Sequence, residues 1–175
     1  NKIGVETNAS YASKLGITGF GVELSEIYLR SNNLGNRSRF MSNVFLEHRF
    51  SIADNKLDIT PGVALTYFSD FKFRAFPGLD IGYNLTNTFK VYGNIGYTYR
   101  IPTYTDLFYN DPVTSGNTDL EPEEAFAQEL GLKYISPKVN ASVAVFNRDA
   151  DNLIDFIRNN VTEDMFVATN ITEVN

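Results

Sequence analysis

The sequence has no cysteine, no tryptophan and a single histidine among its 175 residues. Without cysteine the chain can form neither a disulfide framework nor a thiolate metal site, which excludes the disulfide-rich secreted classes. The one histidine, His48, cannot build a metal site from several imidazoles, and no cluster of His, Cys and Asp has the spacing of a zinc site. The sequence therefore predicts no metal centre and gives no reason to expect a cofactor.

Long apolar runs and basic clusters are also missing. No segment approaches the roughly 20 consecutive apolar residues that a membrane helix requires, which excludes helical membrane proteins. The net charge is −6, and the lysines and arginines form no cluster. A surface that binds phosphate groups would be basic, so nucleic acid is not an expected partner.

What the sequence does contain is aromatic residues and alternation with a period of two. Phe and Tyr make up 14% of the chain, yet the mean hydropathy is only −0.20, so strand-forming residues are frequent without an apolar average. Residues 89–100 alternate strictly, which predicts a strand with an apolar face and a polar face. The apolar face holds Phe89, Val91, Gly93, Ile95, Tyr97 and Tyr99, and the polar face holds Lys90, Tyr92, Asn94, Gly96, Thr98 and Arg100.

Alternation of this kind predicts about nine strands in all. The alternating runs are residues 3–11, 17–29, 38–50, 57–68, 75–85, 89–100, 126–134, 139–157 and 166–174. Short turns are predicted at residues 12–15, 54–56, 85–88 and 136–137, and the opposite set of connections at residues 31–36, 69–72, 103–121 and 158–164. Short turns on one side and longer loops on the other are typical of a membrane β-barrel, although only the connection 103–121 is long.

Two soluble folds, the β-sandwich and the lipocalin-like barrel, alternate in the same way but point their apolar face inward. The tyrosines favour the membrane barrel, because they gather near the predicted strand ends as in an interfacial aromatic girdle. They are Tyr11, Tyr28, Tyr67, Tyr83, Tyr97, Tyr99 and Tyr134. Two Pro-Gly pairs inside alternating runs, at residues 61–62 and 77–78, indicate a bulge or an edge, because proline donates no ladder hydrogen bond.

The segment from Val91 to Tyr134 carries a more specific signal. One predicted strand ends in Tyr99-Arg100-Ile101-Pro102-Thr103, and the next is opened by Gly116-Asn117 followed by Asp119-Leu120-Glu121-Pro122-Glu123. This two-part pattern resembles the late barrel region of TonB-dependent outer-membrane receptors, in which a strand ending in an aromatic, Arg, Xaa, Pro, Thr series precedes a loop and a Gly-Asn-Xaa-Asp-Leu-Xaa-Pro-Glu segment. Residues 13–23 and 146–154 show weaker similarity to the same family, so the resemblance covers most of the chain.

The resemblance implies an all-β fold, namely an antiparallel transmembrane β-barrel fragment of about 8–9 meandering strands from a larger barrel of the 22-strand type. Residues 1–175 would be part of a single barrel domain, with the plug domain and the barrel termini absent. The intact protein would lie in the outer membrane of a Gram-negative bacterium, in contact with membrane lipid, and would act with its plug domain and the TonB complex. It would take up a scarce, bulky small molecule, cobalamin or a ferric siderophore; a passive porin or adhesin barrel is the alternative.

The motif residues are interpreted as structural; they are Arg100, Pro102, Thr103, Glu121, Pro122 and Glu123. The two prolines favour extended backbone in the residues before them and so act as hinges of the loop. Arg100 is expected on the polar face of its strand, where a pair with Glu121 or Glu123 would be partly sheltered from water.

The loop after Thr103 supplies candidate ligand contacts, in which aromatic rings stand beside carboxylates. They are Tyr104, Asp106, Phe108, Tyr109 and Asp111. Loops on a rigid scaffold often carry recognition, and aromatic rings give large contact areas. An ordinary loop whose rings pack against the barrel rim explains the same residues.

No enzyme is predicted. Ser42 and His48 share a face, as in an outer-membrane phospholipase, but lie about 20 Å apart along their strand. Asp149, Asp151 and Asp155 are placed on one face of one predicted strand, where a solvated polar surface is favoured over a calcium site because the turn of a calcium-binding loop is missing.

Overall fold

Strands dominate the computed structural model, which describes residues 1–158 and 164–171. In chain order the elements are β1 (Lys2–Ser13), β2 (Gly16–Ser31), β3 (Gly35–Ile52), β4 (Leu57–Phe68), β5 (Lys72–Asn84), β6 (Phe89–Arg100), α1 (Tyr104–Phe108), β7 (Thr114–Ser115), β8 (Glu123–Ile135), β9 (Asn140–Asp151), β10 (Leu153–Ile157) and β11 (Phe166–Ile171). No helix in this part of the chain is long and apolar enough to cross a membrane.

Eight of the strands form one sheet in the order β1-β2-β3-β4-β5-β6-β8-β9, and we call this sheet the wall. Every neighbouring pair in the wall is antiparallel. The three short strands form a second sheet in the order β10-β11-β7. The predicted all-β meander is therefore confirmed, with eight strands in an open wall.

Successive hairpins place their connections alternately on two edges of the wall. The turn edge carries residues 14–15, 53–56, 85–88 and 136–139, and the loop edge carries residues 32–34, 69–71, 101–122 and 152. α1 and the small sheet lie at the loop edge, because their residues follow the ends of β6 and β9 there. The only cluster of buried apolar residues in the described part of the chain also lies at this edge.

The ladder register gives the wall an apolar face and a polar face. Val63 lies opposite Leu46 on β3 and Pro77 on β5, so these side chains share the apolar face. Large side chains on this face are exposed, among them Leu46 at 53% and Leu130 at 58%. A soluble sandwich would bury such residues between two sheets, whereas the face of a membrane barrel meets lipid.

Both Pro-Gly pairs lie beside interruptions of a ladder, but the predicted bulge or edge is wrong, because the register is unchanged across the interruption at Pro61 and both strands lie inside the wall. Pairing between β3 and β4 stops at Glu47–Gly62 and resumes at Phe50–Ile59, which leaves Pro61 out. Pairing between β5 and β6 ends at Gly78–Gly96, one residue from Pro77. Proline removes one ladder donor at each of these places, while both prolines remain paired between β4 and β5.

One predicted strand is wrong in its bounds. The run 139–157 is divided at Asn152, whose φ of 56° is left-handed, into β9 of the wall and β10 of the small sheet. Asparagine tolerates this conformation better than most residues, and alternation alone does not reveal it. The run 166–174 yields β11, which pairs with β10 and β7 outside the wall. Residues 159–163 of the predicted loop 158–164, and residues 172–174, lie outside the described part.

Candidate functional site

The loop between β6 and β8 begins with a short helix that is held at its start by reciprocal hydrogen bonds. Thr103 precedes α1, and its hydroxyl accepts a hydrogen bond from the Asp106 N–H at 3.1 Å. The Asp106 carboxylate accepts in return from the Thr103 N–H at 2.8 Å. This is a capping box with Asp in the position more often held by Glu or Gln. Asp106 is thereby committed to the backbone of its own loop.

Arg100 joins the two strands that flank this loop. Its Nε donates to Glu123 Oε2 at 2.8 Å, its Nη2 donates to Glu123 Oε1, and its Nη1 donates to Asp106 Oδ2 at 3.2 Å. Glu123 Oε1 also accepts from the Ile154 N–H at 2.8 Å. The structure therefore brings Arg100 to Glu123 in a two-pronged pair, the geometry in which such charge-assisted hydrogen bonds are strongest.

Glu121, the other expected partner of Arg100, lies elsewhere. Its backbone N–H donates to Asn170 Oδ1 at 2.8 Å, and its carbonyl accepts from Asn170 Nδ2 at 2.8 Å. Asn170 also donates to the Asn152 carbonyl at 2.8 Å. Glu121 therefore contributes its backbone groups, whose hydrogen bonds to Asn170 connect the loop to the small sheet.

The two prolines and a small apolar cluster hold the ends of the loop. Pro102 is fully buried, and Pro122 is buried as well. Between them, Leu107 and Leu120 form the centre of the cluster with Ala168 of β11. Partly buried side chains pack around it, namely Phe71, Phe108, Ile154 and Phe156. The loop therefore has a core of its own, set above the end of the wall.

Most of the residues predicted to contact a ligand already contact other residues of this chain. Tyr104 lies with its ring 4.9 Å from the guanidinium carbon of Arg39, and its hydroxyl is buried without a hydrogen-bond partner among the described residues. Burial raises the pKa of the Tyr104 hydroxyl. The centre of the Phe108 ring lies 3.7 Å from the guanidinium carbon of Arg37. These two rings pack against the rim of the wall, as in the ordinary-loop interpretation.

Tyr109 and Asp111 follow α1 in the loop and form a hydrogen-bonded pair. The Tyr109 hydroxyl donates to Asp111 Oδ2 at 3.1 Å, while Asp111 Oδ1 accepts from the N–H groups of Val113 at 2.8 Å and Thr114 at 2.6 Å. The backbone N–H of Val113, followed by the Tyr109 hydroxyl and the Thr114 groups, holds the pKa of Asp111 below its usual value. The same hydrogen bond to Asp111 raises the pKa of Tyr109.

Sequence reasoning misses a second set of residues that contact the loop from neighbouring hairpins. The Asn33 side chain donates to the Asn110 carbonyl at 2.7 Å and accepts from the Asn110 N–H at 3.1 Å. Arg37 and Arg39 of β3 contact α1 from below, and Asp70 pairs with Arg39 at 2.7 Å. The signal in the sequence is two arginines on the polar face at the end of a long strand, but their partners are distant in the chain.

Below the loop, the polar face forms a recess of about 250 Å³. Its lining includes Met41, Asn43, Thr66, Phe68, Phe76 and Tyr99. The predicted place of Tyr99 on the apolar face is wrong, because its ring lies 5.4 Å from that of Phe76 and its hydroxyl accepts a hydrogen bond from Arg74 at 3.4 Å. At Tyr99 the ladder between β5 and β6 has already ended, whereas β6 stays paired with β8 as far as Arg100.

Toward the turn edge the polar face is lined by charges. Asp58 accepts from Ser51 at 2.7 Å and from Lys90 at 3.1 Å, and lies 3.6 Å from Arg49. Lys133 lies 4.4 Å above the Tyr92 ring. Charged groups in this number need water or polar partners, so this face cannot meet lipid.

The remaining candidate chemistry is not assembled. His48 contacts the Thr18 hydroxyl at 2.8 Å and the Leu15 carbonyl at 3.3 Å, with Ser42 in neither contact. The prediction that Asp149, Asp151 and Asp155 share one strand is wrong, because Asp155 belongs to β10 in the other sheet. Within residues 1–158 and 164–171, no three His, Cys, Asp or Glu side chains are grouped as metal ligands.

A single antiparallel wall with an exposed apolar face, a charged opposite face and one long loop defines a segment of a transmembrane β-barrel. The family model described as TonB-dependent receptor-like β-barrel matches residues 4–175. The chain therefore belongs to the TonB-dependent receptor family, as part of its β-barrel.

The chain is similar to a vitamin B12 transporter and to two receptors of ferric compounds. Vitamin B12 transporter BtuB of Vibrio vulnificus strain CMCP6 is 28% identical over 123 residues, which are 70% of this chain and 19% of that protein. The ferric-pyoverdine BN7/BN8 receptor of Pseudomonas putida is 29% identical over 129 residues, with coverages of 67% and 16%. A solved structure of a mutant ferric enterobactin receptor from Pseudomonas aeruginosa, in complex with enterobactin, has a TM-score of 0.82 at 18% identity, over 98% of this chain and 32% of that chain. This chain spans a third or less of the length of each of these proteins.

Proposed function

We propose that the intact protein carrying this chain is an outer-membrane receptor of a Gram-negative bacterium, which takes up a scarce, bulky nutrient in a TonB-dependent manner. The single observation that carries the proposal is the two-faced wall with a folded loop at one edge. In this proposal all 175 residues belong to one barrel domain, whose apolar face contacts membrane lipid. The polar face lines the lumen and meets the plug domain, and the protein is a transporter without enzymatic activity.

The loop edge is the mouth of the barrel in this proposal, and it faces the outside of the cell. Residues 101–122 and the recess beside Tyr99 are where the ligand is recognised, because aromatic rings and hydrogen-bonding groups converge there. Cobalamin and ferric siderophores are the two candidate ligands, since the relatives named above comprise a vitamin B12 transporter and two ferric-siderophore receptors.

Uptake of labelled ligand by cells with and without a working TonB complex tests this function. Cells that produce the intact receptor are expected to accumulate either radiolabelled vitamin B12 or iron supplied as ferric enterobactin, only when TonB is present. Accumulation that is independent of TonB would identify a passive porin. Accumulation of neither compound, by cells with a correctly inserted barrel, would overturn the assignment to these two ligand classes.

A further inference from the structure

Arg39 is a buried cation that joins three separate segments at the loop edge. Its side chain lies on the polar face near the start of β3, and the residue is only 5% exposed. Nε donates to Asp70 Oδ2 at 2.7 Å, and Nη2 donates to the Pro102 carbonyl at 3.0 Å. One guanidinium therefore links β3, the connection between β4 and β5, and the first turn of the loop after β6.

Two aromatic rings complete the surroundings of this guanidinium. The ring centres of Tyr104 and Phe71 lie 4.9 Å and 5.4 Å from its central carbon. An arginine over aromatic faces gains an attraction that increases when water is excluded. Arg37, two residues earlier on the same face of β3, holds Phe108 in the same manner at 3.7 Å. α1 thus rests on two arginines of one strand.

A charge buried to this extent persists only when its partners are held in place. Asp70 and Phe71 lie in the connection next to the end of β4, which is paired with β3. Pro102 and Tyr104 belong instead to the loop after β6, a strand that is not a ladder neighbour of β3, so Arg39 links this loop directly to β3. We propose that Arg39 is a positioning residue, which fixes residues 101–122 against the end of β3 before any ligand arrives. Its consequence for the ligand rests on the proposed function: Tyr109 and Asp111 are presented in one arrangement, so binding does not have to order the loop.

Hydrogen exchange of the intact receptor tests the positioning role without any ligand. In Arg39→Gln, amides of residues 101–122 are expected to exchange at least about tenfold faster than in the wild type, since hydrogen bonds to a charged group stabilise by an amount of this order. Arg39→Lys should fall between them, because an ammonium cannot reproduce the planar set of donors. Arg49→Gln is the matched control, on the same face of β3 but 54% exposed and at the turn edge. Unchanged exchange of residues 101–122 in Arg39→Gln would overturn the proposal.

If Arg39→Gln folds poorly, faster exchange alone would not identify the cause. A disulfide that ties the loop to the hairpin between β2 and β3 provides the second test. Asn33 and Asn110 are hydrogen-bonded to each other, and the chain has no cysteine of its own. The pair Asn33→Cys and Asn110→Cys, oxidised in the Arg39→Gln background, is expected to return the protection of residues 101–122 to within about twofold of the wild type. A disulfide that forms without restoring protection would show that Arg39 acts on folding in general, and would overturn the positioning role.

The binding arm uses vitamin B12 and ferric enterobactin as separate probes. For whichever probe binds the wild type, Arg39→Gln is expected to lower the association rate by about tenfold, and the disulfide variant to restore it. An association rate unaffected by Arg39→Gln would overturn the presentation of a preformed site. If neither probe binds the wild type, the proposed function fails for these ligands, while the exchange measurement still decides whether Arg39 positions the loop.

Discussion

Single side chains at the loop edge link the ends of strands to the connections beside them. Arg100 contacts Glu123 and Asp106, and Arg39 contacts Asp70 and the Pro102 carbonyl. The first contact is predictable, because Arg100 and Glu123 close the two ends of one loop. The second is not, because alternation places Arg39 on a face without indicating which distant hairpins reach it. Alternation also misplaces Tyr99, which lies near the end of β6 where the pairing with β5 has stopped and the pairing with β8 continues.

Removal of the Glu123 carboxylate should destabilise the loop edge. Glu123→Ala takes away both hydrogen bonds from Arg100 and the one from the Ile154 N–H. The expected loss is about 1 to 3 kcal/mol of unfolding free energy, toward the lower end because the Arg100 side chain is 44% exposed and screened by water. A urea titration of the intact receptor measures it. Glu124→Ala, the neighbour without such contacts, is the control, and equal losses in both variants would contradict this assignment.

Acid should loosen the turn held by Asp111. Because its contacts lower the pKa of Asp111 below the value in the unfolded chain, the stabilisation is complete above about pH 3.9 and is lost as the pH falls through the lower folded value. Pepsin cleavage near Phe108 and Tyr109 should therefore rise below pH 3.9, relative to cleavage of an unstructured peptide of the same sequence. Asp111→Asn should remove this dependence on pH, and a dependence retained in that variant would exclude Asp111 as its cause.

Strand and turn positions are largely predictable from alternation, and the departures have local causes. The six runs from residue 3 to residue 100 correspond to β1 through β6, with ends shifted by a few residues. The left-handed conformation of Asn152 divides the later run 139–157 into two strands. β11 belongs to the small sheet, where it pairs with β7. β7 has two residues, too few for alternation to be visible. The small sheet that shapes the candidate site is therefore beyond prediction from pattern.

Gly116 should be essential to the packing of α1. A Cβ at this position would lie 2.7 Å from the backbone of Leu107 and Phe108, and backbone atoms cannot rotate away. Gly116→Ala is expected to cost about 1 to 3 kcal/mol, the usual penalty for overpacking. Gly78→Ala is the control, because the nearest atom to its Cβ is at 3.6 Å, an ordinary contact. The urea midpoints of the two variants provide the comparison, and a fully stable Gly116→Ala would show that the loop packs differently.

On the scale of the whole molecule, the two faces of the wall are expected to contact different surroundings, lipid on the apolar face and water with polar groups on the polar face. Val63 lies on the apolar face and Ala64, its neighbour, on the polar face. Val63→Arg is expected to cost about 2 to 4 kcal/mol by placing a charge in lipid, whereas Ala64→Arg faces water and polar groups and should cost less. Refolding of both variants into lipid vesicles measures the difference. Equal costs would indicate that the apolar face does not contact lipid.

The most direct test of the account is which edge of the wall faces the outside of the cell. Thr105 is an exposed residue of α1 at the loop edge, and Leu15 is 75% exposed at the turn edge. Because the chain contains no cysteine, Thr105→Cys and Leu15→Cys each introduce one thiol into this segment of the intact receptor. A maleimide attached to a large polyethylene glycol, too bulky to pass the outer membrane, is expected to label Thr105→Cys on intact cells and Leu15→Cys only after the membrane is permeabilised. Labelling of Leu15→Cys on intact cells, with Thr105→Cys protected, would contradict the account.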